Sequence, residues 1–189
     1  MSLIKFFYLK LGSINKFIRT KLICKKMQSL NTIEDEGIYL RGARYEDFNN
    51  ISILYKQLNK IEFSNNNKKL LKKCEKKFII IAEIKENNNL KIVGMDMFYI
   101  NQRDFKENTV HEGFIGVLSD YEGKGIATKM RQIALKHFKE NNFDGISTRI
   151  SKNNLRSLNS AKKLGFNPID EYFDKEMNEE RYYLVCKFS

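Results

Sequence analysis

The sequence predicts a mixed α/β domain with one central sheet of six to seven strands, mostly antiparallel and flanked by helices. Short runs rich in β-branched residues alternate with longer segments in which apolar residues recur every three to four positions. The predicted strands outnumber the helices and some follow one another directly, so a doubly wound parallel sheet is excluded. A chain of 189 residues is long enough for one domain with its own core.

The predicted elements follow from these patterns in chain order. Strands are expected at residues 38–43, 77–84, 90–100, 110–117, 145–150, 166–172 and 182–188. Helices are expected at residues 45–58, 65–77, 123–140 and 153–164. The polar turn KENNN joins the second and third strands as a hairpin, and residues 101–108 are expected to be a polar loop.

The cysteines exclude two kinds of stabilised fold. Cys24, Cys74 and Cys186 are odd in number and show no CxxC spacing, which argues against a zinc site and against a disulfide framework. Free thiols suit a reducing compartment, so the sequence predicts a cytoplasmic protein without a bound metal.

The positive charge is concentrated at the amino terminus. Residues 1–30 contain seven Lys or Arg and no acid, whereas the rest of the chain, with 27 basic and 23 acidic residues, carries only +4 of the net +11. Apolar residues at positions 4, 7, 11, 14, 18 and 22 predict a basic amphipathic helix. We therefore expect an extension over residues 1–30 and a domain over 36–189.

The extension has three open interpretations. It is a helix that packs on the domain or on a second subunit in a homodimer, a peripheral membrane helix using residues 1–28, or a targeting peptide. It lacks the roughly 20 apolar residues in a row that span a bilayer. Large aliphatic residues interleave with its basic residues, so no nucleic acid is expected as a partner.

The stretch DYEGKGIATKM, residues 120–130, places two glycines where a predicted strand gives way to a helix. The amides that open a helix lack intrahelical acceptors and attract phosphate oxygens. Gly123 and Gly125 let a ligand approach the backbone, and Lys124 adds a cation. The spacing fits neither a P-loop nor a dinucleotide fingerprint, where Thr128 would have to be small. A purely structural turn stays open.

Two motifs in this order resemble the GNAT acetyltransferase superfamily. Residues 122–127 follow its pattern [Gln/Arg]-x-x-Gly-x-[Gly/Ala], with Glu122 in place of Gln or Arg. About 30 residues later, Asn154 opens a helix that ends before Gly165 and Phe166, as in the family's second motif. The order of strands over residues 38–188 is similar to the family fold.

The resemblance implies acetyl-CoA as co-substrate, with its pyrophosphate on the amides of residues 123–127. The pantetheine arm would lie between the strands at 110–117 and 145–150, where amides near Val117 and Leu118 would polarise the thioester carbonyl. The implied cofactor-binding residues are Val117, Leu118, Gly123, Lys124, Gly125, Ile126, Ala127, Asn154, Ser157 and Ser160.

The resemblance also directs attention to catalytic groups. The family often takes its proton acceptor from the strand before the glycine turn, which here indicates His111 or Glu112, with a water relay as the alternative. These two neighbours face opposite sides of a strand, so at most one points into the cleft. Ala161 stands where the family usually has a proton-donating tyrosine, and Tyr172 or Ser160 is the expected substitute.

The acceptor side is indicated by the segment DEYFDKEMNEE, residues 170–180, which has six acids and one lysine. A negative rim would concentrate a cationic amine, although a solvated acidic loop explains the composition equally well. The sequence thus predicts an acetyl-CoA-dependent N-acetyltransferase acting on a primary amine of a small molecule, such as an amino sugar, or of a peptide. The alternative is a non-catalytic module held at a membrane or on a partner by its basic extension.

Overall fold

The computed structural model describes residues 18, 20–63, 68, 72 and 74–188. The first 17 residues of the predicted amphipathic helix lie outside the described residues, as does most of the predicted helix at 65–77. Residues 20–26 are helical. No helix in the described part of the chain is long and apolar enough to cross a membrane.

One sheet of eight strands organises the described chain. The strands are β1 (Ile33–Asp35), β2 (Ile38–Gly42), β3 (Ile79–Glu86), β4 (Asn89–Tyr99), β5 (Thr109–Val117), β6 (Gly145–Ser151), β7 (Asn167–Asp174) and β8 (Glu179–Lys187). Their order is β1-β2-β3-β4-β5-β6-β8-β7, with β5 and β6 the parallel pair. The mixed, mostly antiparallel sheet is confirmed. It has one strand more than expected because the chain reverses at Glu36 and Gly37, both at positive φ, and pairs residues 33–35 with β2.

Helices cover both faces of this sheet. They are α1 (Phe48–Asn59), α2 (Glu75–Phe78), α3 (Gln102–Glu107), α4 (Ile126–Glu140) and α5 (Leu155–Lys163). The predicted polar loop at 101–108 is wrong where α3 forms. There Asn101 caps the helix by accepting the Asp104 amide at 2.9 Å, and Asn108 ends it at positive φ. Six residues are too few to show an apolar period.

The core lies between the sheet and its helices. On one face, α4 buries Ile126, Met130, Ala134 and Phe138, four of the five residues, with Ile133, of the apolar stripe that predicts the helix. On the other face, α1 packs its Tyr55 ring 4.9 Å from the Phe114 ring of β5. The two faces of the sheet therefore carry different helices, α4 on one and α1 on the other.

The parallel pairing of β5 and β6 stops early, and this positions the site. It runs from Thr109 opposite Gly145 only as far as Glu112 opposite Thr148. At that point β5 has a bulge against β4. Phe114 pairs with Met97 and Glu112 pairs with Phe98, so Gly113 between them has no paired residue on β4. Beyond the bulge β5 and β6 diverge, and a wedge-shaped gap opens within the sheet.

The segment before the sheet packs on the domain. The Thr20 hydroxyl accepts the Ile100 amide at 3.3 Å, and the Cys24 carbonyl accepts the Lys77 ammonium at 2.6 Å. Cys24 and Met27 are buried in the main core. Residues 20–27 are therefore part of the domain's packing, whatever residues 1–17 do.

Candidate functional site

Two adjoining cavities follow the gap between β5 and β6. The turn cavity, of about 650 Å³, lies beside the glycine turn and is bordered by α4 and α5. The gap cavity, of about 580 Å³, lies between the diverging strands. Both are lined by Ile115, Arg131, Asn154 and Ser157, so they form one continuous channel.

The glycine turn has the geometry of an anion site. Gly123 and Gly125 have φ of +77° and +74°, and a Cβ added to either would meet no atom within 4 Å. The space above the backbone is therefore open to a ligand. The first hydrogen bond of helix α4 runs from the Lys129 amide to the Gly125 carbonyl, at 2.9 Å. The amides that precede Lys129 in the first turn of the helix therefore have no intrahelical carbonyl to bind. Bare amides at the start of the 15-residue helix α4 fit a diphosphate.

Most of the predicted cofactor-binding residues meet at this cavity. Those that line it are Val117, Gly123, Gly125, Ile126, Ala127, Asn154, Ser157 and Ser160. Two others lie elsewhere: the Lys124 ammonium sits 5.2 Å from the centre of the Tyr121 ring, and the Leu118 amide donates to the Val93 carbonyl at 2.9 Å. The structure thus brings eight of the ten predicted residues together at the cavity.

Glu122 lines the turn cavity but is paired. Arg156, near the start of α5, donates to the Glu122 carboxylate across the cavity. An unpaired carboxylate at this position would repel a diphosphate. The arginine neutralises it and places a second cation within reach of the turn.

The start of α5 supplies polar groups to the same channel. The Asn154 side chain accepts the Ser157 amide at 3.0 Å and caps the helix. Ser160 and Thr128 hydroxyls lie 3.2 Å apart and join α5 to α4. These residues hold the two helices as opposite walls of the turn cavity.

Backbone amides on β5 face the gap. Because N–H groups alternate sides along a strand, the bond from Leu118 to Val93 on β4 turns the amides of Val117 and Ile115 toward the gap. Both residues line the turn cavity. The predicted donor at Val117 therefore has the required direction, the Leu118 amide does not, and Ile115 supplies a further donor.

Glu112 lines the gap cavity and is held in a buried ion pair. Its two oxygens accept from Arg131 at 2.8 Å each, and one also accepts from the Thr148 hydroxyl at 2.9 Å. Both side chains of the pair are only 2% exposed. The pair joins β5 to α4 directly beneath the channel. Asp96 of β4 lies close by, where burial and the charge of Glu112 raise its pKa well above the usual range.

His111 lies on the opposite face of the sheet and lines neither cavity. Its Nδ1 is 2.7 Å from the Ser147 hydroxyl, which donates to Asp104 at 2.6 Å. Since a serine hydroxyl has one hydrogen, Nδ1 must carry a proton and donate to Ser147. In the neutral ring, Nε2 is then the nitrogen that carries no hydrogen.

Tyr172 also lies on the His111 face, in a group of aromatic rings. Its hydroxyl is buried and has no hydrogen-bond partner among the described residues. The rings of Tyr99 and Tyr183 lie 4.9 and 6.0 Å from that of His111. Burial raises the pKa of Tyr99 to about 12, so this hydroxyl keeps its proton at neutral pH. Of the three predicted catalytic side chains, Glu112 alone lines the channel.

Comparison with known proteins identifies the family. The sequence model described as acetyltransferase (GNAT) family matches residues 45–166. The chain belongs to the GNAT family. No curated protein matches the sequence.

Solved GNAT structures share the fold at low identity. Arabidopsis thaliana Naa50 in complex with the bisubstrate analogue CoA-Ac-MVNAL is 21% identical with a TM-score of 0.67, covering 80% of this chain and 99% of that one. Ribosomal-protein-S5-alanine acetyltransferase from Vibrio fischeri is 20% identical with a TM-score of 0.67, covering 83% and 96%. YncA from Salmonella typhimurium, solved with its cofactor acetyl-CoA, is 15% identical with a TM-score of 0.64, covering 82% and 95%. The predicted fold and the acetyl-CoA cofactor of the family are confirmed.

The acidic segment of this GNAT domain is largely paired. Lys152 lies 3.0 Å from Glu171 and 3.7 Å from Glu180. Arg181 lies 3.4 Å from Asp174 and 3.5 Å from Glu179. Four of the six acids thus have a basic partner, which weakens the negative rim expected from composition.

Sequence reasoning missed several residues of the GNAT channel. Arg131 lies off the apolar stripe of α4 in the sequence, which predicts an exposed side chain, yet it is 2% exposed and lines both cavities. Arg149 and Arg156 had no motif to mark them. The bulge in β5 had one sequence signal, Gly113, which is followed three residues later by a second glycine on the same strand.

Proposed function

We propose that this chain is an acetyl-CoA-dependent N-acetyltransferase that acts on a primary amine of a small molecule, such as an amino sugar, or of a peptide. The observation that carries the proposal is the channel itself. Bare amides at the glycine turn open into a gap that passes between β5 and β6. This arrangement holds a phosphorylated acyl donor by its head and leads its reactive end into the sheet.

The chain's own groups define how the donor is held. Acetyl-CoA supplies an acyl thioester, and the amides of Gly123 to Ala127 bind its diphosphate. The amides of Ile115 and Val117 point into the gap and donate to the developing oxyanion. None of these contacts needs a titratable side chain, so cofactor binding should vary little around neutral pH.

Proton removal from the amine is assigned to His111 within this proposal. The hydrogen-bonded chain from Asp104 through Ser147 fixes the proton on Nδ1 of His111. His111 is 2% exposed and lines neither cavity, so this role requires a relay of water molecules between the amine and the ring. Glu112 is not the proton acceptor in this proposal, because it holds Arg131 beneath the channel. Tyr172, whose buried hydroxyl lies on the same face as His111, is the proposed proton donor.

A two-stage experiment tests this function. Thermal unfolding with acetyl-CoA at 100 times its dissociation constant should show about 2.7 kcal/mol of stabilisation. A screen of amine classes for release of free thiol from acetyl-CoA should then identify an acceptor. An unchanged melting curve, or binding without thiol release from any amine, supports the non-catalytic module instead.

A histidine pair tests the assigned proton acceptor. His111→Gln should lower kcat about 10²-fold with little change in the KM for acetyl-CoA, and should change the pH profile of kcat. His137→Gln is the matched control, because His137 is equally buried but bonds the Lys77 carbonyl away from the channel. Equal pH profiles in the parent and the His111 variant would exclude this role.

A further inference from the structure

Three arginines line the gap cavity, and they differ in how their charge is matched. Arg131 is paired with Glu112, and Arg181 with Asp174 and Glu179. Arg149 forms no ion pair with any carboxylate in the described ranges of the chain. The acceptor end of the channel therefore contains one arginine whose guanidinium has no anionic partner among the described residues.

Arg149 lies where the gap begins. It follows Thr148, the last residue of β6 that pairs with β5. Thr148 contacts Glu112 on the α4 face, so the alternation of side chains puts Arg149 on the opposite face, with His111 and Phe114. The donor occupies the α4 face in the proposed function, and Arg149 thus faces the route by which the amine approaches.

Aromatic rings hold the Arg149 side chain in place. Its guanidinium carbon lies 5.9 Å from the ring centre of Tyr183 and 6.0 Å from that of Tyr172. Its backbone is fixed opposite Tyr183 in the β6–β8 ladder, and its carbonyl accepts from Arg181 at 2.9 Å. A guanidinium stacked in this way keeps its donors free in a planar fork that matches a carboxylate.

We propose that Arg149 binds a carboxylate of the acceptor, so that the preferred substrate is an amino acid or short peptide carrying a carboxylate close to its amine. This inference rests on the proposed function of the channel and names its substrate class. The remaining acids of the segment 170–180 attract the amine of such a molecule, and Arg149 binds its anionic group. A purely cationic amine would bring a second positive charge against the guanidinium.

Peptide binding to the protein saturated with CoA tests this inference without turnover. Amidated pentapeptides that differ only in Glu, Gln or Lys at the second or third position are titrated by calorimetry. At one of these positions the Glu peptide should bind about tenfold more tightly than the Gln peptide, and the Lys peptide more weakly than both. The preference should fall as salt is raised.

Variants separate Arg149 from general charge. Arg149→Met should make the Glu and Gln peptides bind equally, Arg149→Lys should restore part of the preference, and Arg149→Glu should reverse it toward the Lys peptide. Arg103→Met is the matched control, because Arg103 also lies over the Tyr183 ring, at 4.4 Å, but pairs with Glu107 and does not line the gap cavity. This control should leave the preference unchanged.

The outcomes are distinct from those for acetyl transfer. Equal or absent binding of the Glu and Gln peptides to the unmodified protein overturns the inference, as does a Glu preference that survives in Arg149→Met. If the preference depends on Arg149 but no peptide releases thiol from acetyl-CoA, the carboxylate site stands and the transfer function fails. Melting curves of each variant confirm that it is folded.

Discussion

Gly125 is a glycine for two separate reasons. Its φ of +74° strains any residue with a Cβ, and the space above it must stay open for the diphosphate. Gly37, at φ +77° in the β1–β2 turn, shares the first property and borders neither cavity. The two positions can therefore separate backbone strain from ligand binding.

Valine at both positions should give the same loss of stability and different losses of function. Each of Gly125→Val and Gly37→Val should cost about 1–2 kcal/mol of unfolding free energy from the left-handed backbone. Only Gly125→Val should abolish acetyl-CoA binding, measured by calorimetry. Normal binding in Gly125→Val would refute the role of the turn.

The ion pair between Glu122 and Arg156 predicts a gain of function. Both side chains are well exposed, at 47% and 64%, so breaking the pair should change stability by less than about 1 kcal/mol. Glu122→Gln removes a negative charge beside the diphosphate and frees Arg156 to bind it. Acetyl-CoA affinity should rise several-fold, and Arg156→Gln should reduce affinity more in this background than in the parent. Glu176→Gln, remote from the turn, is the control that should change nothing.

At the scale of elements, long patterns were predictable and short ones were not. The five-residue apolar stripe of α4 and the continuous apolar run of β3 were both evident from the sequence. The three-residue β1 and the six-residue α3 depend on local turns and caps that leave no periodic signal. The bulge at Gly113 was also missed, because it depends on register with β4, a non-local property.

Asp96 makes the interface of β4 with α4 sensitive to pH. Its raised pKa means that the folded protein retains a proton that the unfolded chain has released, so stability should fall as pH rises from about 4 toward the raised value. Asp96→Asn should remove this slope. The variant should be more stable than the parent at neutral pH, by about 1.4 kcal/mol for each unit of pKa elevation, and no more stable near pH 3.

Urea unfolding from pH 3 to 9 measures this difference. A stability gain in Asp96→Asn that is the same at every pH would show that the carboxyl does not titrate differently in the two states. Asp170→Asn, on an exposed residue of β7, controls for loss of a negative charge.

At the scale of the whole molecule, residue 30 does not separate an unpacked extension from a packed domain. The sequence correctly marked the charge asymmetry, but charge alone does not reveal which residues are buried. Cys24 and Met27 are 3% and 7% exposed within the main core, and the Gln28 amide donates to Asn141 at 2.6 Å. The boundary of 1–30 and 36–189 remains a prediction about composition.

Two truncations separate packing from partner binding. Deleting residues 1–28 should lower the free energy of unfolding by about 3–5 kcal/mol, because it removes two buried side chains. Deleting residues 1–17 should leave the packed residues in place and preserve acetyl-CoA binding. Co-sedimentation with anionic liposomes and analytical ultracentrifugation then test the membrane and homodimer interpretations. Unchanged behaviour of the shorter truncation in both assays would exclude both.

The divergence of β5 and β6 also predicts whether the two substrates of the proposed enzyme bind together or one after the other. In the proposed function, donor and acceptor would enter from opposite sides of one sheet, so neither would have to leave before the other arrives. The three cysteines are buried and border neither cavity, which leaves no thiol on the chain to store the acetyl group between half-reactions. Initial-rate plots at several fixed acceptor concentrations should therefore intersect, as they do for a ternary complex, and should not run parallel.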